Sequence, residues 1–166
     1  MRLRGGRDLR EPRQGGQLEG QSDNGCIGIH GDDAVVWGNV VRGCEDDAAV
    51  HISGNNALVR GNTVAQTGDD LIEVLGDRAR IIKNKGRSAE YDCIDVSGDL
   101  VRVQGNRMSG CHGSGAYVDG NHPKVINNRF GGNSDHGIMA HCSIACGKTV
   151  IKGNAIRDQY DDARGM

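Results

Sequence analysis

The chain has 166 residues, a length that suits one domain. Its formal net charge is −2 and aromatic residues make up 3% of it, so charge points to no nucleic-acid or membrane partner and the core cannot be built on rings. No run is long and apolar enough for a transmembrane helix.

Residues 1–21 are polar, with arginines and glycines and no apolar stretch of the signal-peptide kind. They read as a disordered leader, a tag remnant or a truncated upstream coil. From residue 22 a repeat takes over. Asn39, Asn62, Asn84, Asn106, Asn128 and Asn154 recur at spacings of 23, 22, 22, 22 and 26. Gly31, Gly54, Gly76, Gly98 and Gly120 keep step, and Cys142 closes that column. A fixed period of this length marks a solenoid, in which each repeat packs on its neighbours. With 27 glycines and 2 prolines, the composition suits short strands joined by tight turns.

Each repeat reads as three strands. The first alternates, with Ile27/Ile29, Val50/Ile52, Ile72/Val74, Ile94/Val96, Ala116/Val118 and Ile138/Ala140 on one face. The second follows the glycine and turns Val36, Val59, Ile81, Val103, Val125 and Ile151 inward. The asparagine comes next, at a sharp turn where it can bond to backbone and tolerate left-handed geometry. The third strand buries Val41, Val64, Met108, Phe130 and Ile156. About six coils at strand spacing make a stack ~24–29 Å long. Residues 159–166 read as a C-terminal tail. A stack of this kind needs covered ends, so either contact between copies through the ends or a longer solenoid is expected.

Cysteines keep the same rhythm. Cys26 and Cys44 are 18 apart, and so are Cys93 and Cys111, at matching coil positions. Two equivalent disulfides between the start of the first strand and the end of the same coil would account for this. Cys142 and Cys146 bracket the insertion in the last repeat and make a third expected pair. Three disulfides would place the protein in an oxidising compartment, secreted, extracellular or periplasmic. Buried free thiols stacked in the core are the alternative.

The outward columns are where chemistry could sit. On the first strand the column reads Gly28, His51, Glu73, Asp95, Tyr117 and Met139. The turn before it adds Asp47, Asp69, Asp70, Asp92, Asp135 and His136. On the second strand Arg80, Arg102 and Lys124 point outward, and on the third Lys85, Arg107 and Arg129. Stacked like charges repel, so ligands could supply the counter-charge. Glu73 and Asp95 could hold Ca²⁺ through oxygen ligands from adjacent coils. The carboxylates Asp70, Asp92, Asp95 and Glu73 could instead do acid/base work. Arg80, Arg102 and Lys124 could grip a uronate or sulfated glycan.

Three strands per coil of about 22 residues resembles the right-handed parallel β-helix family of the pectate-lyase kind, over residues 22–158. The resemblance implies an all-β solenoid and a polysaccharide partner, since that family includes polysaccharide lyases, uronan epimerases and glycoside hydrolases. Gly68-Asp69-Asp70-Leu71-Ile72, Asp92-Cys93-Ile94-Asp95-Val96 and Asp135-His136-Gly137-Ile138 resemble turns of the polygalacturonase-type hydrolases. Tyr91 replaces one aspartate of that pattern, and no Arg-x-Lys follows His136. The resemblance implies an extracellular protein that binds and cleaves an acidic polysaccharide. Its substrate would meet the carboxylates, with His51, Tyr117 and His136 flanking them. A non-catalytic structural or surface scaffold is the alternative.

Overall fold

The computed structural model describes residues 17–19, 26–142 and 147–157. Every element among them is a short strand. The strands stack into three parallel sheets of six, six and seven strands, in which coil pairs with coil and no helix occurs. The first sheet holds Ile27–His30, Val50–Ser53, Ile72–Leu75, Ile94–Ser97, Tyr117–Asp119 and Met139–His141. The second holds Val35–Trp37, Leu58–Arg60, Arg80–Ile82, Arg102–Gln104, Lys124–Ile126 and Val150–Lys152. The third holds Val40–Cys44, Thr63–Thr67, Lys85–Ala89, Arg107–Cys111, Arg129–Gly131 and Ala155–Arg157. Gln17–Glu19 also joins the third sheet, paired with Val40–Arg42, so the sheet starts before the expected boundary at residue 22. The rest of the expected leader and the expected tail, 159–166, lie outside the described residues.

The period sets the packing. Equivalent residues pair across the stack, as in Ile72↔Ile94 and Val103↔Val125, so each inward position becomes a column of like apolar side chains. Val50, Ile72, Ile94, Ile52, Val74 and Val96 are fully buried. Burial stabilises by roughly 1.5–3 kcal/mol for each such side chain, so stacked aliphatics build this core without rings. One column breaks its pattern. Gly86 pairs with Val64 and Met108, where a larger residue would be expected. Leu71 and Met108 fill that space, and a Cβ on Gly86 would strike both. In the last coil Ile151 and Ile156 are 51% and 47% exposed, because no described coil stacks on them.

The turns are held by side chains. Asn84 Oδ1 accepts from the backbone N–H of Asn62 at 2.9 Å and from its side-chain Nδ2 at 3.1 Å. Asn84 Nδ2 donates to the Val59 carbonyl at 3.0 Å. The same three bonds recur at Asn62, Asn106, Asn128 and Asn154. Asn39, Asn62, Asn84, Asn106 and Asn128 are all buried. The left-handed residue is not the ladder asparagine, as expected from sequence, but the one before it: Gly61, Lys83, Gly105 and Asn127 all have φ between 55° and 66°. That frees each ladder asparagine to aim its amide along the stack.

A second ladder lies at the turn before the second sheet. There the side chain of one coil accepts the backbone N–H of the next: Asp32 from Asn55, Asn55 from Asp77, Asp77 from Asp99, and Asp99 from Asn121. The glycines just before these residues stack so closely that a Cβ on Gly98 would collide with the Gly76 carbonyl. Disulfides Cys26–Cys44 and Cys93–Cys111 tie the start of the first strand to the end of the third, as the spacing predicts. Cys142 is also disulfide-bonded, while its expected partner Cys146 lies outside the described residues.

Replacing Asn84 by Ala would leave the Asn62 N–H without an acceptor in a buried turn and take one hydrogen bond each from the Asn62 side-chain amide and the Val59 carbonyl. We expect a loss of about 3 kcal/mol, since an orphaned buried N–H costs roughly 1–3 kcal/mol and each further lost bond roughly 0.5–1.5 kcal/mol. Urea denaturation of Asn84→Ala measures it, and a loss within experimental error would show the ladder to be dispensable.

Candidate functional site

The first sheet presents the outward column in one line. Gly28, His51, Glu73, Asp95, Tyr117 and Met139 pair in register from coil to coil. His51 and Glu73 are joined through Nδ1 and Oε2 at 2.5 Å, with about a fifth of each side chain exposed. Asp95 stands beside Glu73. Its Oδ1 is buried and has no hydrogen-bond partner. Burial pushes the Asp95 carboxyl up to about 6, and the neighbouring charges of Asp92 and Glu73 push the same way. Tyr117 flanks Asp95 on the far side, half-buried.

The turn leading into this sheet carries the other carboxylates, and two of them serve the backbone. Asp70 Oδ1 accepts the N–H of Asp92 at 2.6 Å, and Asp92 Oδ1 accepts the N–H of Ser114. They form a third ladder, in which each side chain again accepts the backbone N–H of the next coil. Asp70 is only 6% exposed, and burial lifts its carboxyl to about 8, with the Asp69 charge adding to the effect. Burial also raises Asp92, against the hydrogen bonds from Ser114, which favour its charged form. Asp69 is raised by burial and by Glu73 and Asp47.

Not every expected site residue comes to this face. Arg80, Arg102 and Lys124 lie on the second sheet, away from the carboxylates. His136 is exposed and engages Asp135 through Nδ1 at 2.6 Å. Among the described residues no three His, Cys, Asp or Glu side chains converge as a group that could hold a metal ion, so no third side chain of these types joins Glu73 and Asp95. Glu73 is turned to His51 instead, and Asp70 and Asp92 face backbone amides. A shallow groove of about 430 Å³ lies round the corner, at the end of the third sheet. It is lined by Glu45, Gln66, Thr67, Ser88, Glu90 and His112, among others, none of which the sequence pattern singled out as a site. The signal that would have found it is the left-handed column Gly43, Gln66, Ser88 and Gly110, which bends each third strand at its end.

The raised Asp70 makes stability depend on pH with a definite sign. Its folded-state pKa of about 8 lies above the ordinary 3.8, so the folded state binds the proton more tightly than the unfolded chain. Stability from this group is full below pH 4 and is lost as pH rises towards 8. Asp70→Asn keeps an acceptor for the Asp92 N–H and removes the titration. We expect it to raise the melting temperature at pH 8–9 more than at pH 5. Thermal melts across that range check it, and equal shifts at both pH values would contradict the buried-acid account.

Comparison with curated proteins finds no match. Comparison with solved structures finds none either. A family model described as the right handed beta helix region matches residues 48–165. With that match over most of the chain, and parallel coils about 22 residues apart stacked into three sheets, the protein belongs to the right-handed β-helix family.

Proposed function

We propose that the protein is an extracellular polysaccharide-acting β-helix and that its first-sheet face hydrolyses a glycan. The observation that carries this reading is Asp95: a carboxyl raised to about 6, with an unpartnered oxygen, beside a second carboxylate in register. Glycoside hydrolysis needs one protonated and one ionised carboxyl at the scissile bond. Asp95 would give its proton to the glycosidic oxygen as the C–O bond breaks. Glu73, oriented by His51, would attack the anomeric carbon, and water would then release the sugar while Asp95 takes back a proton. Their strands stand ~4.8 Å apart, nearer the carboxylate separation of retaining than of inverting enzymes. Tyr117 would supply a flanking ring for a sugar. Hydrolysis suits this face better than the lyase chemistry of related folds, because the described strands of the first sheet carry no Lys or Arg. The two described disulfides fit an extracellular location.

A non-catalytic scaffold is the second reading. It is favoured by the ladder role of Asp70 and Asp92, whose oxygens hold the next coil.

A panel of neutral, uronate and sulfated polysaccharides separates the two, with reducing ends read for hydrolysis and absorbance near 235 nm for lyase products. The hydrolase reading expects reducing ends from one polymer and a rate that falls as pH rises through about 6, where Asp95 loses its proton. Asp95→Asn should lower that rate by roughly a hundredfold or more. No product from any polymer with folded protein would leave the scaffold reading.

A further inference from the structure

The three sheets divide charge by sign. No described strand of the first sheet contains Lys or Arg, and its acids are Glu73, Asp95 and Asp119. From Val35 to Arg157, no strand of the second or third sheet contains Asp or Glu. The cations of those two sheets stack in register. Arg80, Arg102 and Lys124 are adjacent on three successive coils of the second sheet. Lys85, Arg107 and Arg129 are adjacent on the same coils of the third. All six are exposed. None of the six pairs with a carboxylate among the described residues. Between the two columns, at the turn, sits Lys83, also exposed.

Like charges directly opposite each other across strands are destabilising. Here they persist on three consecutive coils and on both sides of one corner. We propose that the second and third sheets form a binding surface for a polyanionic polysaccharide, one carrying carboxylate or sulfate groups, laid along the axis of the stack. A chain running along either column meets one cation at every coil, ~4.8 Å apart, and the other column offers a second track round the corner. The guanidinium fork of Arg80, Arg102, Arg107 and Arg129 matches the paired oxygens of a carboxylate or sulfate. Other polyanions fit less well. Single-stranded nucleic acids are gripped by aromatic platforms between the cations, and the exposed aromatic ring on these described strands is Trp37, at the end of the array. A planar bilayer would touch one sheet and leave the column round the corner unpaired. The disulfides fit a compartment where glycans are the common polyanions. This surface is independent of the first-sheet carboxylates and stands whether or not they hydrolyse anything.

Fluorescence anisotropy with labelled dextran sulfate and labelled polygalacturonate tests the proposal and separates sulfate from carboxylate recognition. Neutral dextran, single-stranded DNA and anionic phosphatidylglycerol vesicles serve as comparisons. We expect one of the two charged glycans to bind at low salt, to weaken steeply with added NaCl, and to bind more tightly than DNA or vesicles. Neutral dextran should not bind. The triple variant R80Q/R102Q/K124Q should bind about tenfold more weakly, and so should R107Q/R129Q on the neighbouring sheet. A second readout guards against unfolding: removing stacked like charges should leave the melting temperature at low salt equal or higher. No binding of either charged glycan, unchanged affinity in both variants, or tighter binding of DNA or vesicles would overturn the proposal.

Discussion

A chain that winds through three parallel sheets must turn three times in every coil, and at each turn backbone amides leave the sheet ladders while still close to the core. Buried amides without partners are costly. In this protein side chains of the neighbouring coil supply those partners. The asparagine ladder from Asn39 to Asn154 serves one corner, the Asp32–Asn121 ladder the second, and Asp70 with Asp92 part of the third. Each bond joins residues one coil apart, so it fixes register as well as satisfying a donor. A slip of one residue would break a ladder and turn the inward columns outward. The apolar core supplies the larger favourable term, but any aliphatic stack would supply that; the ladders make it this stack.

Fixed register has a consequence at the surface. Every outward position becomes a column too, so residues far apart in sequence stand side by side. Glu73 and Asp95 meet in this way, and so do Arg80, Arg102 and Lys124. The two signs are handled differently. On the acidic face burial raises Asp70 and Asp95, and His51 hydrogen-bonds Glu73. On the basic faces Arg80, Arg102, Lys124, Lys85, Arg107 and Arg129 stay exposed and pair with no carboxylate among the described residues. Half-buried acids with raised pKa values are suited to moving protons, whereas exposed guanidinium columns are suited to holding a polyanion. The molecule thus offers two different surfaces on one scaffold.

Much of the fold was legible because the period repeats a chemical identity. Asparagine at the ladder, Val or Ile at the inward positions and cysteine pairs 18 apart all announce themselves in one sequence. The second ladder escaped because it mixes Asp and Asn directly after the glycines, so no single letter holds the column. Gly86 was opaque because its space is filled by Leu71, a turn residue whose direction only the packing decides. The charge columns of the candidate site were readable from alternation alone. What was not readable was that Asp70 and Asp92 face backbone amides of the next coil, since a carboxylate that caps a turn and one that faces a ligand have the same spacing.

Native-state hydrogen exchange at the turn amides tests the central claim most directly. The backbone N–H groups of Asn62, Asn84 and Asn106 belong to no sheet ladder and bond only to the side chain of the next asparagine. If those side chains lock the coils together, these amides exchange as slowly as the neighbouring strand amides of Val59 and Val103. Exchange at the rate of open, solvated turns, with the strand amides still protected, would show that the sheets stack without the ladders and would contradict the account.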